Sequence, residues 1–144
     1  MTEINLQLIE VIFNLSRLMK DQMASHSELA TLSFLQIQTL VFVAKNKAVS
    51  MSDIAQNFNI ELPSATSLIQ KLVKAELLER KTDPKDRRIV KILLTKEGKT
   101  LLKTIMKHRK KKIQQHLSLL SDTEKKQLLK ILKKMIVKME EYEK

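Results

Sequence analysis

The chain of 144 residues contains a single glycine, Gly98, and this scarcity limits the folds that it can adopt. Phosphate-cradling loops, dinucleotide-binding turns and sheets with many tight turns depend on glycine, because glycine adopts backbone angles that other residues avoid. Cysteine is absent as well, which excludes disulfide frameworks, Cys-based zinc sites and thiol redox sensing. The sequence therefore predicts one mainly helical domain, and the chain is long enough to bury a sizeable core.

Apolar residues recur at the spacing of an α-helix along most of the chain. Between residues 3 and 23 they form a continuous stripe, which predicts a long amphipathic helix. Five further helices are predicted to start at capping boxes or at residues that suit a first turn, namely Ser33, Ser50, Pro63, Thr95 and Ser121. In the helix that follows Ser33, the pattern predicts that Phe34 faces the core.

The pattern changes in the middle of the chain, where two short β-like runs cover residues 77–81 and 89–94. Polar turn residues separate the runs and Pro84 fixes one backbone angle, so the runs are predicted to pair as a β-hairpin. The predicted fold is therefore mainly α with one small β-hairpin. A short helix, a turn, a helix rich in Ala, Ser and Thr, and then a basic hairpin is the order of a winged helix-turn-helix.

The positive charge is concentrated in one part of the chain. The formal net charge is +11, and residues 60–116 alone hold 16 basic and 6 acidic side chains. A basic middle between nearly neutral ends indicates a surface that binds a polyanion. Two alternatives are a lysine-rich surface that serves solubility and a surface that binds an anionic membrane, although the latter requires more aromatic residues than the chain has.

The helix that starts at Pro63 has the composition of a DNA recognition helix. One face is apolar, and the other carries small hydroxyls, an amide and two lysines. The hydroxyls allow close approach to the groove, the amide can pair with a base edge and the lysines can neutralise phosphates. The predicted DNA-contacting residues of this helix are Ser64, Thr66, Ser67, Gln70, Lys71 and Lys74.

The hairpin carries a more specific pattern. Residues 83–95 resemble the signature of the multiple-antibiotic-resistance regulator (MarR) family of bacterial transcription factors, whose D-x-R core corresponds to Asp86 and Arg88. Residues 51–55 are similar to the third helix of that family, and residues 64–80 to its recognition helix and first wing strand. Chain length and element order also match, so the resemblance covers essentially the whole chain.

The resemblance implies a role for each polar residue at the hairpin tip. Arg88 would enter the minor groove of DNA, and Asp86 would hold its guanidinium in place. An unpaired carboxylate beside the phosphates would repel DNA, whereas a carboxylate paired with the guanidinium orients it. Arg87 and Lys85 would contact neighbouring phosphates. The alternative is an exposed ion pair between Asp86 and Arg88 that contributes less than about 1 kcal/mol to stability.

The resemblance further implies a homodimer that represses transcription and that a small ligand often releases from DNA. Residues 33–95 would form the winged helix-turn-helix DNA-binding lobe, and residues 1–32 and 96–144 would form a helical dimerisation region. A two-fold dimer would bind a pseudo-palindromic operator, with its two recognition helices about 34 Å apart. The family usually has glycine after the recognition helix, whereas this chain has Glu76, which leaves the conformation of the helix–wing junction open.

A basic surface of this kind also suits other functions. The main alternative is a sequence-indifferent, architectural nucleic-acid-binding protein. An inducer pocket is predicted between the dimer helices and the lobe, with ordinary core packing as the alternative for its candidate lining residues Phe13, Met19, Met23, Phe34 and Ile105. His26, His108 and His116 do not form a convincing metal set, so no cofactor or metal is expected. No enzyme motif, signal peptide or membrane span is found, and a cytoplasmic protein is expected.

Overall fold

The architecture follows from a computed structural model, which describes residues 1–24 and 32–142. The described residues form six α-helices and one two-stranded antiparallel sheet. The helices are α1 (Glu3–Ala24), α2 (Phe34–Asn46), α3 (Met51–Asn57), α4 (Leu62–Lys74), α5 (Lys96–Leu117) and α6 (Asp122–Tyr142), and the strands are β1 (Leu78–Thr82) and β2 (Val90–Leu94). The chain forms two compact units, Met1–Ile105 and Met106–Lys144. The predicted fold class, mainly helical with one hairpin, is confirmed.

Three of the predicted helix starts, at Ser33, Ser50 and Ser121, are confirmed by their hydrogen bonds. Ser33 accepts a bond from the backbone of Gln36 at 3.2 Å, and the Gln36 side chain accepts one from the backbone of Ser33 at 2.7 Å. The same reciprocal pair forms between Ser50 and Asp53. A third capping box, at residues 121–124, starts α6. Each box satisfies backbone donors that the first turn of a helix leaves unpaired, which is why local sequence locates these ends well.

The core of the first unit lies where α2, α3 and α4 meet the sheet. Its largest fully buried side chains are Leu40, Ile54, Ile69, Leu72, Leu78 and Ile92. Val49, in the segment between α2 and α3, pairs with Ile92 through two backbone hydrogen bonds of 3.1 and 2.7 Å. This bridge ties the helix-turn-helix to the hairpin, so the two parts share one core.

The hairpin is present, but it is shifted by one residue at its first strand. The ladder runs from Leu78 opposite Leu94 to Thr82 opposite Val90, whereas the predicted first strand covers residues 77–81. The shift has a local cause, because the backbone N–H of Leu77 donates to the carbonyl of Leu72 at 3.0 Å and so completes the end of α4.

Phe34 corrects one prediction, since 60% of its side-chain surface is exposed rather than buried in the core. It occupies the first position of α2, whereas the buried face of that helix is formed by Ile37, Thr39, Leu40 and Val43. Phe34 lies outside that face.

The two terminal helices differ from the rest of the chain because their apolar residues are exposed. On α1, Ile4, Ile12 and Leu15 are each more than half exposed. On α6, no residue is buried, and the exposed apolar side chains include Leu132, Met135 and Met139. None of the described helices is long and apolar enough to span a membrane.

Candidate DNA interface

The helix-turn-helix consists of α3, a four-residue turn and α4. In the turn, Asn59 has a left-handed backbone with φ of 49°. The backbone N–H of Ile60 then donates to the carbonyl of Ala55 at 3.0 Å, which folds the turn back against α3. Asparagine tolerates this conformation better than most residues, so the turn forms without glycine.

The recognition helix α4 separates a buried face from a polar face. The buried residues are Ala65, Leu68, Ile69 and Leu72. All six residues predicted to contact DNA are exposed on the opposite side, namely Ser64, Thr66, Ser67, Gln70, Lys71 and Lys74. The Thr66 hydroxyl also donates to the carbonyl of Leu62 at 2.9 Å, so its proton already has a partner in the helix.

The tip of the hairpin, the wing, is a compact turn held by the carboxylate of Asp83. One oxygen of this carboxylate accepts bonds from the backbone N–H groups of Lys85, at 2.8 Å, and of Asp86, at 3.3 Å. The backbone of Asp83 also donates to the carbonyl of Ile89 at 2.8 Å. The turn thereby presents Lys85, Arg87 and Arg88 to solvent.

The structure brings Arg88 and Asp86 together in a two-pronged contact. Nε of Arg88 lies 3.2 Å from one Asp86 oxygen, and Nη2 lies 3.3 Å from the other. The guanidinium side chain is nevertheless 91% exposed, so the pair is oriented without being buried. The Arg88 side chain, followed by its backbone N–H, lowers the pKa of Asp86. The wing therefore presents an exposed arginine that is paired with a carboxylate at its tip.

The junction between α4 and the wing adopts the left-handed geometry that the sequence leaves open. Glu76 has φ of 60°, and its backbone N–H donates to the carbonyl of Val73 at 2.9 Å. A non-glycine residue in this conformation costs on the order of 1 kcal/mol. The helix therefore ends with the geometry that glycine usually provides, although the residue is glutamate.

Gly98 has a packing role that the sequence pattern does not reveal. A Cβ atom at this position would overlap the carbonyl oxygen of Leu77 and lie 2.9 Å from a methyl carbon of Leu94. The glycine therefore allows the first turn of α5 to pack directly on the base of the wing. The contact joins residues that are 21 positions apart in sequence, so no local pattern could have identified it.

The cations of the central segment are divided between two places. Eight of the sixteen lie on α4 and the hairpin, as predicted, but the other eight lie on α5 between Lys96 and Lys112. The small helix and the hairpin therefore carry half of the basic side chains of residues 60–116.

The residues predicted to line an inducer pocket have different environments. Phe13 is 72% exposed and Phe34 is 60% exposed, whereas Ile105 is buried and Met19 is half-buried. The side chain of Met23 lies outside the described residues. A groove of about 500 Å³ is formed by the end of α2, the following segment and α3, and it is lined by Phe42, Asn46, Ala48, Val49, Asp53, Gln56 and Asn57.

Two residues at the start of α4 are absent from the predicted interface. Glu61 is the N-cap residue and Leu62 is the first helical residue, and both are exposed beside Pro63. Their position before a proline at a helix start could have drawn attention to them. Within the described parts of the chain, no group of three or more His, Asp or Glu side chains could hold a metal ion, and His26 lies outside those parts.

A polar recognition helix followed by a cationic wing defines a winged helix-turn-helix protein of the DNA-binding class. Comparison with known proteins extends this assignment. A family model described as the MarR family matches residues 30–89. The Bacillus subtilis regulator MhqR is 28% identical over 135 residues, which cover 94% of this chain and 93% of MhqR. The B. subtilis repressor YetL is 28% identical over 130 residues, covering 89% of this chain and 78% of YetL.

A solved protein structure also has a similar fold. A mutant of the S. aureus protein MepR, solved bound to an oligodeoxyribonucleotide, superposes with a TM-score of 0.70 at 24% identity, over 92% of this chain and 97% of MepR. Residues 30–89 therefore match the family that the wing sequence resembles, and the fold is similar to that of MepR.

Proposed function

We propose that this protein is a transcriptional repressor that binds a pseudo-palindromic operator as a homodimer. The observation that carries the proposal is the oriented Arg88 at the wing tip, held by both oxygens of Asp86 and 91% exposed. The exposed polar face of α4 would occupy the major groove while this arginine enters the adjacent minor groove. The relative YetL, which is named a repressor, supports the direction of regulation.

The homodimer is supported by the exposed apolar faces of α1 and α6. In a two-fold assembly these faces would be buried, and the two recognition helices would lie about one turn of DNA apart, or roughly 34 Å. Residues 1–32 and 96–144 would then form the dimerisation region, and residues 33–95 the DNA-binding lobe. An inducer site near Phe34 and Ile105 stays a prediction.

We also propose that the protein has no catalytic activity and acts in the cytoplasm, where bacterial DNA is found. Its relatives are transcriptional regulators, and its sequence contains none of the motifs that would supply a nucleophile or a phosphate-binding loop.

The test is a binding competition with a palindromic duplex selected from the promoter region of its own gene. A regulator should prefer that duplex over random DNA by about 10³-fold or more at physiological salt. Equal competition by random DNA would instead favour an architectural, sequence-indifferent protein.

Variants at the interface separate the roles of individual side chains. Arg88→Ala should weaken operator binding by on the order of 10-fold or more, because an oriented contact to the groove is lost. Lys74→Ala should weaken binding to all duplexes alike and reduce the salt slope by about 1 per site. Arg87→Ala is the matched control for Arg88, since it removes a neighbouring exposed guanidinium that is assigned only to phosphates. If Arg88→Ala binds the operator as tightly as the parent protein, the assignment of the wing is wrong.

A further inference from the structure

The first turn of the recognition helix presents a carboxylate that has no local partner in the described structure. Three other helices begin with a serine whose hydroxyl caps the first turn, whereas α4 begins with Glu61, which makes no side-chain capping bond. Glu61 is exposed, and no ion pair in the described parts of the chain involves it. The helix α4 thus has an acidic side chain at its N-terminal end and two basic side chains, Lys71 and Lys74, in its last turn.

A carboxylate at a DNA interface has a narrow range of uses. It accepts hydrogen bonds but donates none, so it cannot bind phosphate and is repelled by it. In the major groove it can accept a bond from the exocyclic amino group of cytosine. Glu61 would therefore lower the affinity for most DNA sequences. The affinity would not be lowered where a base amino group lies opposite the carboxylate and donates a hydrogen bond to it.

Two neighbouring side chains, Leu62 and Thr66, have the same limitation. Leu62 is 51% exposed and is the only large apolar residue of α4 that is exposed, which suits contact with the methyl group of thymine. The Thr66 hydroxyl donates its proton to the carbonyl of Leu62, so toward DNA it offers only lone pairs and a methyl group. None of these three side chains can donate to a phosphate in this arrangement, whereas the lysines further along α4 can.

We propose that Glu61 is a specificity-determining residue that accepts a hydrogen bond from the amino group of a cytosine in each operator half-site. Leu62 packs against the methyl group of a neighbouring thymine. The inference rests on the proposed function, because it requires α4 to lie in the major groove. It adds base discrimination by the first turn of α4 to the base contact predicted for Gln70, whereas the lysines of the last turn bind phosphates.

The experiment selects duplexes from a randomised pool with the full-length protein and with three variants, and then measures the affinity for each single-base change in the selected half-site. The variants are Glu61→Ala, Glu61→Gln and, as the control, Glu97→Gln. Glu97 is an exposed glutamate in the first turn of α5, so its substitution changes the charge equally outside the proposed contact.

The wild type should prefer cytosine at one position of each half-site by on the order of 10-fold. Glu61→Ala should abolish this preference and bind random DNA more tightly. Glu61→Gln should move the preference toward adenine, because an amide can pair with both the amino group and the ring nitrogen of that base. Glu97→Gln should keep the wild-type base profile.

The inference is overturned if both Glu61 variants select the same base as the wild type at every position. It is also overturned if they differ from the wild type only by the uniform gain in affinity that Glu97→Gln shows, since Glu61 would then act by repulsion alone. A wild type with no base preference anywhere would overturn the proposed function itself, and this result differs from both of the preceding ones.

Discussion

The DNA-binding lobe and the terminal helices handle their apolar residues in opposite ways. In the lobe, Leu40, Ile54 and Ile69 are fully buried in a core formed by α2, α3, α4, α5 and the wing. On α6 no residue is buried, and on α1 the apolar side chains from Ile4 to Leu18 are exposed. The lobe is therefore stabilised by its own packing, whereas the terminal helices need an additional surface to cover them.

The energies involved show why this difference matters. Burying a leucine or isoleucine side chain contributes roughly 1.5–3 kcal/mol, and an isolated helix of about 20 residues is only marginally stable in water. A helix such as α6, with Leu132, Met135 and Met139 exposed, gains little from the packing described above. A second copy of the chain would supply the missing burial, which is the physical basis of the proposed homodimer.

The largest expected effect tests whether the lobe depends on the close contact at Gly98. Alanine normally stabilises a helix relative to glycine, by up to about 1 kcal/mol. Gly98→Ala should instead lower the free energy of unfolding by about 3 kcal/mol, because its Cβ would overlap the carbonyl of Leu77. Denaturant unfolding followed by circular dichroism measures the change, with the exposed Lys99→Ala as the control. An unchanged or higher stability for Gly98→Ala would show that α5 packs differently.

The next effect concerns the terminal helices. Leu132→Asp places a charge in the apolar stripe of α6 and should convert the dimer to a species of about 17 kDa, the mass of one chain. The circular dichroism of the lobe should be retained, because Leu132 is 47% exposed in the single chain. Light scattering after size exclusion measures the mass. Gln127→Asp adds the same charge at another exposed position of α6 and should leave the dimer intact.

If the wild-type protein already elutes as a single chain at micromolar concentration, then the proposed dimer is wrong. The exposed stripes would in that case need another partner.

The smallest effect concerns the wing tip. The pKa of Asp86 is lowered from its ordinary value of 3.8, first by the Arg88 side chain and then by the Arg88 backbone N–H. A lowered folded-state pKa means that the contact stabilises the wing above pH 3.8 and is lost as the pH falls through the lowered value. Carboxyl NMR titration should show that Arg88→Ala raises this pKa only partway, because the backbone donor stays.

Arg87→Ala is the control for this titration and should leave the pKa of Asp86 where it is. A titration in which Arg88→Ala has no effect would show that the two side chains are not in contact in solution.

The parts of this fold that local chemistry determines were predictable from the sequence. Ser33, Ser50 and Ser121 each start a helix because the bonds of a capping box join residues three positions apart. The features that sequence did not predict depend on tertiary contacts. Phe34 faces solvent because of where α2 meets the core, and Gly98 is required by the carbonyl of Leu77, which lies 21 positions away in sequence.

The sequence likewise predicts some residues of the candidate interface and misses others. Composition identified the polar face of α4, and the wing motif identified Asp86 and Arg88. Net charge does not identify Glu61, because an acidic side chain lowers the positive charge by which a DNA-binding surface is recognised. The lining of an inducer pocket could not be derived, since helical periodicity does not distinguish a ligand-binding cavity from ordinary core.

The side chain of Thr95 connects three elements through one oxygen atom. Its hydroxyl donates to the carbonyl of Glu76 at 2.7 Å and accepts from the backbone N–H of Gly98 at 2.9 Å. Its own backbone N–H donates to Leu77 at 3.2 Å. The end of the recognition helix, the root of the wing and the first turn of α5 are thereby clamped together. Because these bonds link the three elements, a tilt of that turn would move the recognition helix and the wing together.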